Sequence, residues 1–368
     1  MNAEATPLRR GWTTGSCATA AAKAAWTALE HGIFPDPIRI SLPSGQQVDF
    51  ALAGHGFNHD GAWASVIKDA GDDPDVTHGA LIRADVRKLG AEQGIVFKAG
   101  EGVGHITRPG LPLPPGEPAI NPVPRNMMRT ALQEVSGSNT NAEITISVPG
   151  GIGLAEKTLN SRLGIVGGLS ILGTTGIVIP FSCSAWIDSI HRGIDVARAL
   201  GLPHLAASTG NVSETAIQKF YGLPETALIE MGDFAGGVLK YVRKHPVPRL
   251  TIAGGIAKMT KLAQGRLDLH SGRSRADMAE FSTLTRTVSA NATLADDIAQ
   301  TQTIAEAFLK ARVAGVELGN HIARQALNVA LDVLDDSATI VDVVLFDRMG
   351  VCVGRSELLS AHERKRLR

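Results

Sequence analysis

Residues 163–187 contain no charged side chain, and a segment of this length could cross a bilayer. Five glycines and Pro180 make it a poor membrane helix, and the β-branched runs at residues 165–166 and 177–179 are typical of short buried strands. The segment therefore predicts two short strands with glycine-rich turns at a domain junction. Two explanations fit the glycines equally well: a tightly packed crossover, or a backbone that approaches a ligand closely.

The composition predicts a globular chain of about two domains. The chain has 368 residues, and its 36 lysines and arginines balance its 36 aspartates and glutamates. Because the net charge is zero and only 4% of the residues are aromatic, we expect neither a nucleic acid nor a membrane as partner. The distant cysteines Cys17, Cys183 and Cys352 fit neither a disulfide framework nor a zinc site. We therefore expect a cytoplasmic protein with no metal site of its own.

Residues 1–180 predict an α+β domain with mostly antiparallel strands. An alanine-rich helix is expected to end near His31. The alternating runs after it predict a hairpin at residues 38–53 and further strands up to residues 143–148. A proline-rich stretch then predicts that a second helix starts near Asn126.

The start of the alanine-rich helix permits two interpretations. A threonine or serine cap is sufficient to explain the Thr-Thr-Gly-Ser run that begins at Thr13. Alternatively, Arg9, Arg10 and the free backbone N–H groups of the first turn together hold a carboxylate or a phosphate. The arginine pair at residues 9–10 does not predict an export signal, because no long apolar segment follows it.

Polar loops of this first domain supply weak catalytic candidates. A turn with four carboxylates and a histidine, residues 68–79, contributes Asp69 and Asp72, although its spacing does not fit a calcium loop. The alternative is a solvated turn whose carboxylates accept from backbone amides. The glycine-rich loop after it contributes Glu101 and His105, because polar side chains on stiffened loops often face ligands.

From residue 181 onward, strands and helices alternate. Three units of strand, glycine-containing loop and helix lie within residues 205–263, and they predict crossovers in a parallel sheet. Helices at residues 276–335 are expected to form a solvated layer over this sheet, and a hairpin is expected to close the domain at residues 339–353. We predict a Rossmann-like, three-layer α/β domain over residues 181–368.

Ligands bind parallel sheets where the loops leave the carboxyl ends of the strands. We therefore expect the three glycine-containing loops to converge on one crevice, with Asp233 as the acidic residue for ribose hydroxyls. The cofactor-binding candidates are Thr209, Gly210, Asn211, Gly232, Asp233, Gly254 and Gly255. Residues 228–233 match the first motif of Rossmann-type methyltransferases only in part, so this motif does not identify the cofactor by itself.

Six sequence blocks, in register over almost the full length, resemble the cobalt-precorrin-5B C1-methyltransferase family of anaerobic cobalamin biosynthesis. They are Arg-x-Gly-x-Thr-Thr-Gly-x-Cys-Ala, Lys-Asp-Ala-Gly-Asp-Asp-Pro-Asp-Val-Thr, Gly-Glu-Gly-Val-Gly, Ala-Ile-Asn-Pro-Val-Pro-Arg, the glycine-rich segment from residue 160 to 178, and Ala-Gly-Gly-Ile-Ala-Lys-Met-x-Lys-Leu-Ala. Ser161 stands where this family usually has a proline, a departure that affects local stiffness rather than chemistry.

The resemblance implies transfer of a methyl group from S-adenosyl-L-methionine to carbon 1 of cobalt-precorrin-5B, giving cobalt-precorrin-6A. Cobalt would then belong to the corrinoid substrate. Such a transfer requires chiefly the alignment of donor and acceptor, and the sequence does not identify a base. Because the substrate carries many carboxylates, arginines and lysines on loops are suited to bind it. The substrate-binding candidates are Arg10, Thr14, Arg108, Asn121, Arg125 and Lys258.

Two alternatives stay open at the level of sequence. One is a methyltransferase for another anionic small molecule, and the other is a tetrapyrrole-binding carrier that uses no cofactor. Binding of S-adenosylmethionine would exclude the carrier, and turnover of the corrinoid would exclude the other substrate. The oligomeric state, including a homo-oligomer, also stays open.

Overall fold

The structure, a computed structural model, describes residues 7–366, and the chain divides into two compact units between Ser184 and Ala185. Each unit has a hydrophobic core of its own. No helix in the described part of the chain combines the length and the apolar character needed to span a bilayer.

The first unit contains short strands and four helices in its described part. The strands are β1 (Gly11–Trp12), β2 (Ile38–Ser41), β3 (Gln47–Phe50), β4 (Gly54–Phe57), β5 (Ala62–Ile67), β6 (Leu81–Lys88), β7 (Ile95–Ala99), β8 (His105–Ile106), β9 (Ala142–Ser147), β10 (Ile165–Val166) and β11 (Ile177–Val178). The helices are α1 (Thr14–His31), α2 (Pro122–Ser136), α3 (Gly151–Ala155) and α4 (Asn160–Leu163).

A mixed sheet forms the centre of the first unit. Its strand order is β4-β5-β6-β9-β7, and every neighbouring pair is antiparallel except β7 and β9. The strands β2 and β3 form the predicted hairpin. The prediction of an α+β unit with mostly antiparallel strands is therefore confirmed. The helix α2 begins at Pro122, four residues before the predicted start. Proline is tolerated in the first turn of a helix, because the backbone N–H groups of that turn have no helical acceptor and the missing N–H is no loss.

The helix α1 is almost completely buried against β5, β6 and α2. Alanines make this possible, because their small side chains let the helix lie close to β5 and β6, whose buried residues include Ala62, Ala64 and Ala84. The Thr13 hydroxyl accepts a hydrogen bond from the Ser16 amide at 3.2 Å, and Gly32 ends the helix with a φ of 77°. The predicted threonine cap is therefore confirmed.

Residues 160–178 of the glycine-rich segment lie inside the first unit, and the boundary between the two units follows at residues 184–185. The two strands of this segment are the ones that the sequence predicts: β10 pairs with β8, and β11 pairs with β1. Most of its glycines face protein atoms: a Cβ built on Gly168 would lie 2.2 Å from the carbonyl oxygen of Gly102, and one on Gly173 would lie 2.3 Å from Thr13. Close packing against other protein atoms thus accounts for four of the five glycines, whereas no described atom lies within 4 Å of a Cβ built on Gly167.

The second unit alternates strands with helices. The strands are β12 (Leu205–Ser208), β13 (Leu228–Glu230), β14 (Arg249–Gly255), β15 (Ile340–Phe346), β16 (Cys352–Arg355) and β17 (Leu359–Ser360). The helices are α5 (Cys183–Ala199), α6 (Asn211–Tyr221), α7 (Ala235–Lys244), α8 (Ile256–Ala263), α9 (Met278–Ser289), α10 (Ala292–Ala299), α11 (Ile304–Val313), α12 (Gly319–Leu334) and α13 (Ala361–Arg366).

The sheet of the second unit has the order β13-β12-β14-β15-β16, with β17 also paired to β15. The first four strands are parallel, and β15 and β16 form the antiparallel hairpin that the sequence predicts. The parallel pairing predicted for residues 205–263 is confirmed. The large core cluster lies on one face of the sheet with α5, α7, α8 and α12, and α6 covers a smaller cluster on the other face.

The last of the helices between residues 276 and 335, α12, is not part of a solvated layer, contrary to the sequence-based expectation. Eight residues of α12 are buried, and seven of them belong to the main core cluster. Its first residue, Gly319, touches the backbone of β16 so closely that a Cβ there would lie 1.7 Å from the carbonyl oxygen of Val353. The mixed charges of this region suggested a solvated layer and did not reveal the apolar face of α12, which packs on the sheet.

A buried carboxylate anchors the amino-terminal half of β15. Asp342 is fully buried and accepts hydrogen bonds from the Tyr221 hydroxyl and, at 2.6 Å, from the Thr251 hydroxyl. Because Thr251 uses its proton on Asp342, His204 Nε2, 2.7 Å away, must be the donor to Thr251. Burial, assisted by the charge of Arg249, lowers the pKa of His204 to about 4.

We expect this histidine to make the second unit less stable in mild acid. Its pKa of about 4 in the fold lies below its ordinary value of 6.5, so the unfolded chain takes up a proton first as the pH falls. The stabilisation is complete above pH 6.5 and decreases between pH 6.5 and 4. Denaturant unfolding at several pH values should show a shallower decline for His204→Gln than for the wild type. Substitution of the exposed His321 by Gln is the control, and an equal decline in all three proteins would contradict the assignment.

Candidate functional site

A cavity of about 560 Å³ opens where β12, β14 and β15 end at their carboxyl edges. Its volume is in the range of cavities that hold small molecules. The residues that line it come from the loops after these strands, from the first turns of α6 and α8, and from α11. They are Thr209, Gly210, Asn211, Val212, Ser213, Gly255, Ile256, Ala257, Lys258, Ala305, Phe346, Asp347 and Arg348.

Two helices begin at this cavity. Gly210 precedes α6 and Gly255 precedes α8, and within residues 7–366 neither helix start receives a side-chain cap. The first backbone N–H groups of each helix have no intrahelical acceptor, and the helix dipole adds a partial positive charge. No described atom lies within 4 Å of a Cβ built on either glycine. The wall of the cavity is thus an open surface of backbone donors that favours an anionic group.

The charged side chains of the cavity differ in how they are used. The Lys258 ammonium donates to the carbonyl oxygen of Thr209 at 2.8 Å and lies 3.0 Å from Asp233 Oδ1, an ion pair without hydrogen-bond geometry. Asp347 Oδ1 accepts from the backbone amides of Met349 and Val351, both at 2.9 Å. Arg348 is exposed and, within the described part of the chain, makes no side-chain contact.

The structure brings together four of the seven cofactor candidates: Thr209, Gly210, Asn211 and Gly255 line the cavity. The other three lie elsewhere. A Cβ on Gly254 would meet Met259 and Thr209, 2.7 and 2.8 Å away, and one on Gly232 would meet Trp186. Asp233 reaches the cavity only through its ion pair with Lys258.

Sequence reasoning missed the contribution of β15 to this cavity. Phe346, Asp347 and Arg348 follow that strand, and they belong to a turn that the sequence identified only as part of a hairpin. Lys258, predicted to bind substrate, lines the same cavity as the cofactor candidates.

The short motifs of the first unit hydrogen-bond to one another around the glycine-rich segment. Leu169 exchanges backbone hydrogen bonds with the loop at Gly102 and Gly104, at 2.8 and 2.9 Å. Ile171 accepts from the Asn121 amide at 2.9 Å, and Leu172 accepts from the Gly15 amide at 3.0 Å. Four separate sequence blocks therefore form one continuous backbone network.

The start of α1 does not provide the anion site that the second interpretation required. The Gly15 amide donates to the carbonyl oxygen of Leu172. The Thr14 side chain is buried, and its hydroxyl donates to the Leu172 carbonyl at 3.1 Å and accepts from the Leu172 amide at 3.0 Å. Arg10 is exposed and makes no described side-chain contact. Thr14 therefore holds the glycine-rich segment in place, whereas Arg10 is free for a ligand.

The acidic turn is held by Arg9. Its guanidinium forms a two-point ion pair with Asp69, and its backbone amide donates to Asp72 at 2.6 Å. The hydrogen bond from Arg9, together with one from the Gly71 amide, lowers the pKa of Asp69 to about 2. A carboxylate with so low a pKa is a weak base at neutral pH. Within the described residues no His, Cys, Asp and Glu groups are arranged to hold a metal ion.

The remaining candidates of the first unit fall into two groups. Arg125 is buried, donates to the carbonyl oxygens of Ile120 and Pro118, and pairs with Glu117 at 2.8 Å, so its guanidinium is occupied within the protein. Arg108 donates to the Arg162 carbonyl at 3.0 Å. The second group makes no side-chain contact within the described chain and consists of Glu101, His105 and Asn121.

Comparison with known proteins gives a consistent result over both units. A family model described as CbiD matches residues 1–180, and one described as CbiD, C-terminal domain, matches residues 268–357. The cobalt-precorrin-5B C(1)-methyltransferase of Agrobacterium fabrum is 56% identical over 99% of this chain and 96% of its own. The enzyme of the same name from a Bradyrhizobium species is 56% identical over 95% of this chain and 94% of its own.

A solved structure is also similar. The crystal structure of a cobalamin biosynthesis protein, cbiD, from Archaeoglobus fulgidus is 29% identical, covering 72% of this chain and 83% of that one, with a TM-score of 0.40.

Proposed function

The chain belongs to the CbiD family, and from this premise we propose that the cavity of its second unit holds S-adenosyl-L-methionine as the methyl donor. Its relatives over nearly the full length are methyltransferases that act on carbon 1 of cobalt-precorrin-5B, a step of cobalamin biosynthesis, and this chain is a methyltransferase of the same kind. The donor, when bound, supplies an electrophilic methyl group on a sulfonium.

The observation that supports this donor site is that two helices without side-chain caps, α6 and α8, begin at one cavity of suitable size. Backbone N–H groups of α6 and α8 suit the carboxylate of the donor's amino-acid portion. The Asn211 side chain lines the cavity, makes no described contact, and suits hydroxyls of the ribose. Asn211 therefore replaces Asp233 as the ribose candidate in our proposal.

Lys258 has a positioning role in this proposal. Its ion pair with Asp233 and its hydrogen bond to Thr209 connect the loops after β12, β13 and β14. Fixing these loops orients the donor, and alignment of donor and acceptor is the main requirement of a methyl transfer. We further propose that the two units correspond to an α+β domain at residues 1–180 and a Rossmann-like domain at residues 181–368.

If the corrinoid does not bind at the cavity of the second unit, we propose as its alternative site the unoccupied polar side chains around the glycine-rich network of the first unit. Arg10 suits a peripheral carboxylate, and Asn121, Glu101 and His105 supply hydrogen bonds or move a ring proton if the reaction requires it. All four lie on the motif blocks that the network joins, or directly beside them. Arg125 and Thr14 are left out because protein groups occupy them.

Replacement of Lys258 by alanine tests the donor site. Calorimetric titration with S-adenosylhomocysteine should show tight binding to the wild type and about tenfold weaker binding to Lys258→Ala, because the loops lose a charge-assisted contact of about 1.5–3 kcal/mol. The control is Lys240→Ala, which removes an exposed lysine of α7 that is not part of the cavity. Equal affinities for all three folded proteins would count against the cavity as the donor site.

A further inference from the structure

The turn between β15 and β16 presents a cation that the protein does not use. Three charged side chains line the cavity, and two of them, Lys258 and Asp347, are engaged by protein groups. Arg348 is exposed and contacts no other side chain or carbonyl within the described residues. A free guanidinium at the edge of a ligand cavity is suited to a planar anion such as a carboxylate.

The turn that carries Arg348 is well ordered by its own hydrogen bonds. Asp347 Oδ1 accepts from two backbone amides of the turn, and the Asp347 amide donates to the Val351 carbonyl at 3.0 Å. Gly350 adopts a φ of 77° and packs against α6. A Cβ built on Gly350 would lie 3.5 Å from the Cβ of Ala216. Arg348 is therefore held beside the cavity by a fixed backbone.

Apolar side chains flank this arginine and are exposed to an unusual degree. Met349 is 85% exposed, Val351 57% and Val212 52%, and Val212 also lines the cavity. The turn lies next to Val212, because a Cβ built on Gly350 would be 3.9 Å from a methyl group of Val212. The rim of the cavity thus combines exposed apolar surface with one free cation, a pattern that marks a site for another molecule.

We propose that this rim, formed by Val212, Arg348, Met349 and Val351, receives the methyl acceptor, with Arg348 bound to one of its carboxylates and the apolar side chains against a face of its ring. The proposal rests on the donor occupying the cavity. The donor also has a carboxylate, but the uncapped backbone amides at the starts of α6 and α8 suit it. Arg348 is exposed and lines the cavity, so its guanidinium is accessible to a second molecule.

Kinetics of Arg348 variants test this assignment. Arg348→Ala should raise the KM for cobalt-precorrin-5B by about tenfold, with a small effect on kcat, because it removes a charge-assisted contact. Arg348→Glu should raise KM further through repulsion of the carboxylate, and Arg348→Lys should recover part of the loss. The control is Arg312→Ala, which removes an exposed arginine of α11 outside the cavity lining and should leave KM unchanged.

Calorimetry separates the two sources of a carboxylate. Affinity for S-adenosylhomocysteine should stay within about twofold of the wild type in every Arg348 variant. Cobyrinic acid should bind the wild type more tightly than its fully esterified derivative does, and Arg348→Ala should reduce this preference. Loss of S-adenosylhomocysteine binding would assign Arg348 to the donor instead, and an unchanged KM in Arg348→Glu would overturn the proposal. If Lys258→Ala also leaves S-adenosylhomocysteine binding intact, the donor site itself is wrong.

Discussion

Gly168→Ala should destabilise the first unit by about 3 kcal/mol, because the added methyl group has no space to occupy. A Cβ at this position would lie 2.2 Å from the carbonyl oxygen and 2.3 Å from the carbonyl carbon of Gly102. Both neighbours are backbone atoms, so no side chain can rotate away. The Leu169 amide also donates to that carbonyl oxygen, so separating the two loops breaks the network at its centre.

Differential scanning calorimetry can measure this effect. For a unit of this size, 3 kcal/mol corresponds to a decrease in Tm of about 6–12 °C. The matched control is Gly153→Ala in α3, where no described atom lies within 4 Å of the added Cβ and where alanine favours the helix. The control should melt at or slightly above the temperature of the wild type. A Gly168→Ala protein that melts like the control would show that the two backbones separate without cost.

Periodicity predicted most strands of both units, because a half-buried strand leaves an alternating pattern and a βαβ unit leaves a regular one. It did not predict the short strands β1, β4, β8 and β17. The β2–β3 hairpin and the parallel strands β12, β13 and β14 followed from such patterns. The start of α2 was misplaced because Pro122 and Pro124 suggest an extended chain, although prolines are also common in a first helical turn.

The sequence could not show which polar groups the fold uses internally. Arg125 and Thr14 look like ligand-binding residues on stiff loops, yet the structure directs them to backbone groups of Ile120, Pro118 and Leu172. Buried carbonyl oxygens need donors, and the carbonyls that a fold leaves without one depend on tertiary contacts. No local pattern carries this information.

The cavity residues illustrate the same limit on a smaller scale. Gly254 and Gly255 are neighbours in sequence, but successive residues of a strand face opposite sides of the sheet, so only Gly255 faces the cavity. Arg348 was missed for a different reason. Its strand, β15, pairs with β14 although about 85 residues separate them, and the sequence does not reveal this neighbour.

Gly255→Leu should abolish donor binding without loss of stability. Gly255 has φ −71° and ψ 155°, a conformation open to any residue, and no described atom lies within 4 Å of its Cβ position. The leucine side chain would therefore project into the cavity, where it covers the backbone donors at the start of α8. We expect the affinity for S-adenosylhomocysteine to fall by about 100-fold or more, equivalent to about 2.7 kcal/mol, with Tm unchanged.

The neighbouring glycine supplies a control of opposite character. A methyl group on Gly254 would meet the Met259 Cε atom at 2.7 Å and the Thr209 hydroxyl at 2.8 Å, so Gly254→Ala should cost about 1–3 kcal/mol of stability. Because its methyl group faces away from the cavity, the folded fraction should still bind S-adenosylhomocysteine far better than Gly255→Leu does. Calorimetric titration and thermal melting of both proteins measure the two effects separately. If folded Gly255→Leu binds like the wild type, the donor lies outside this cavity, and the open polar groups around the glycine-rich network become its next candidate site.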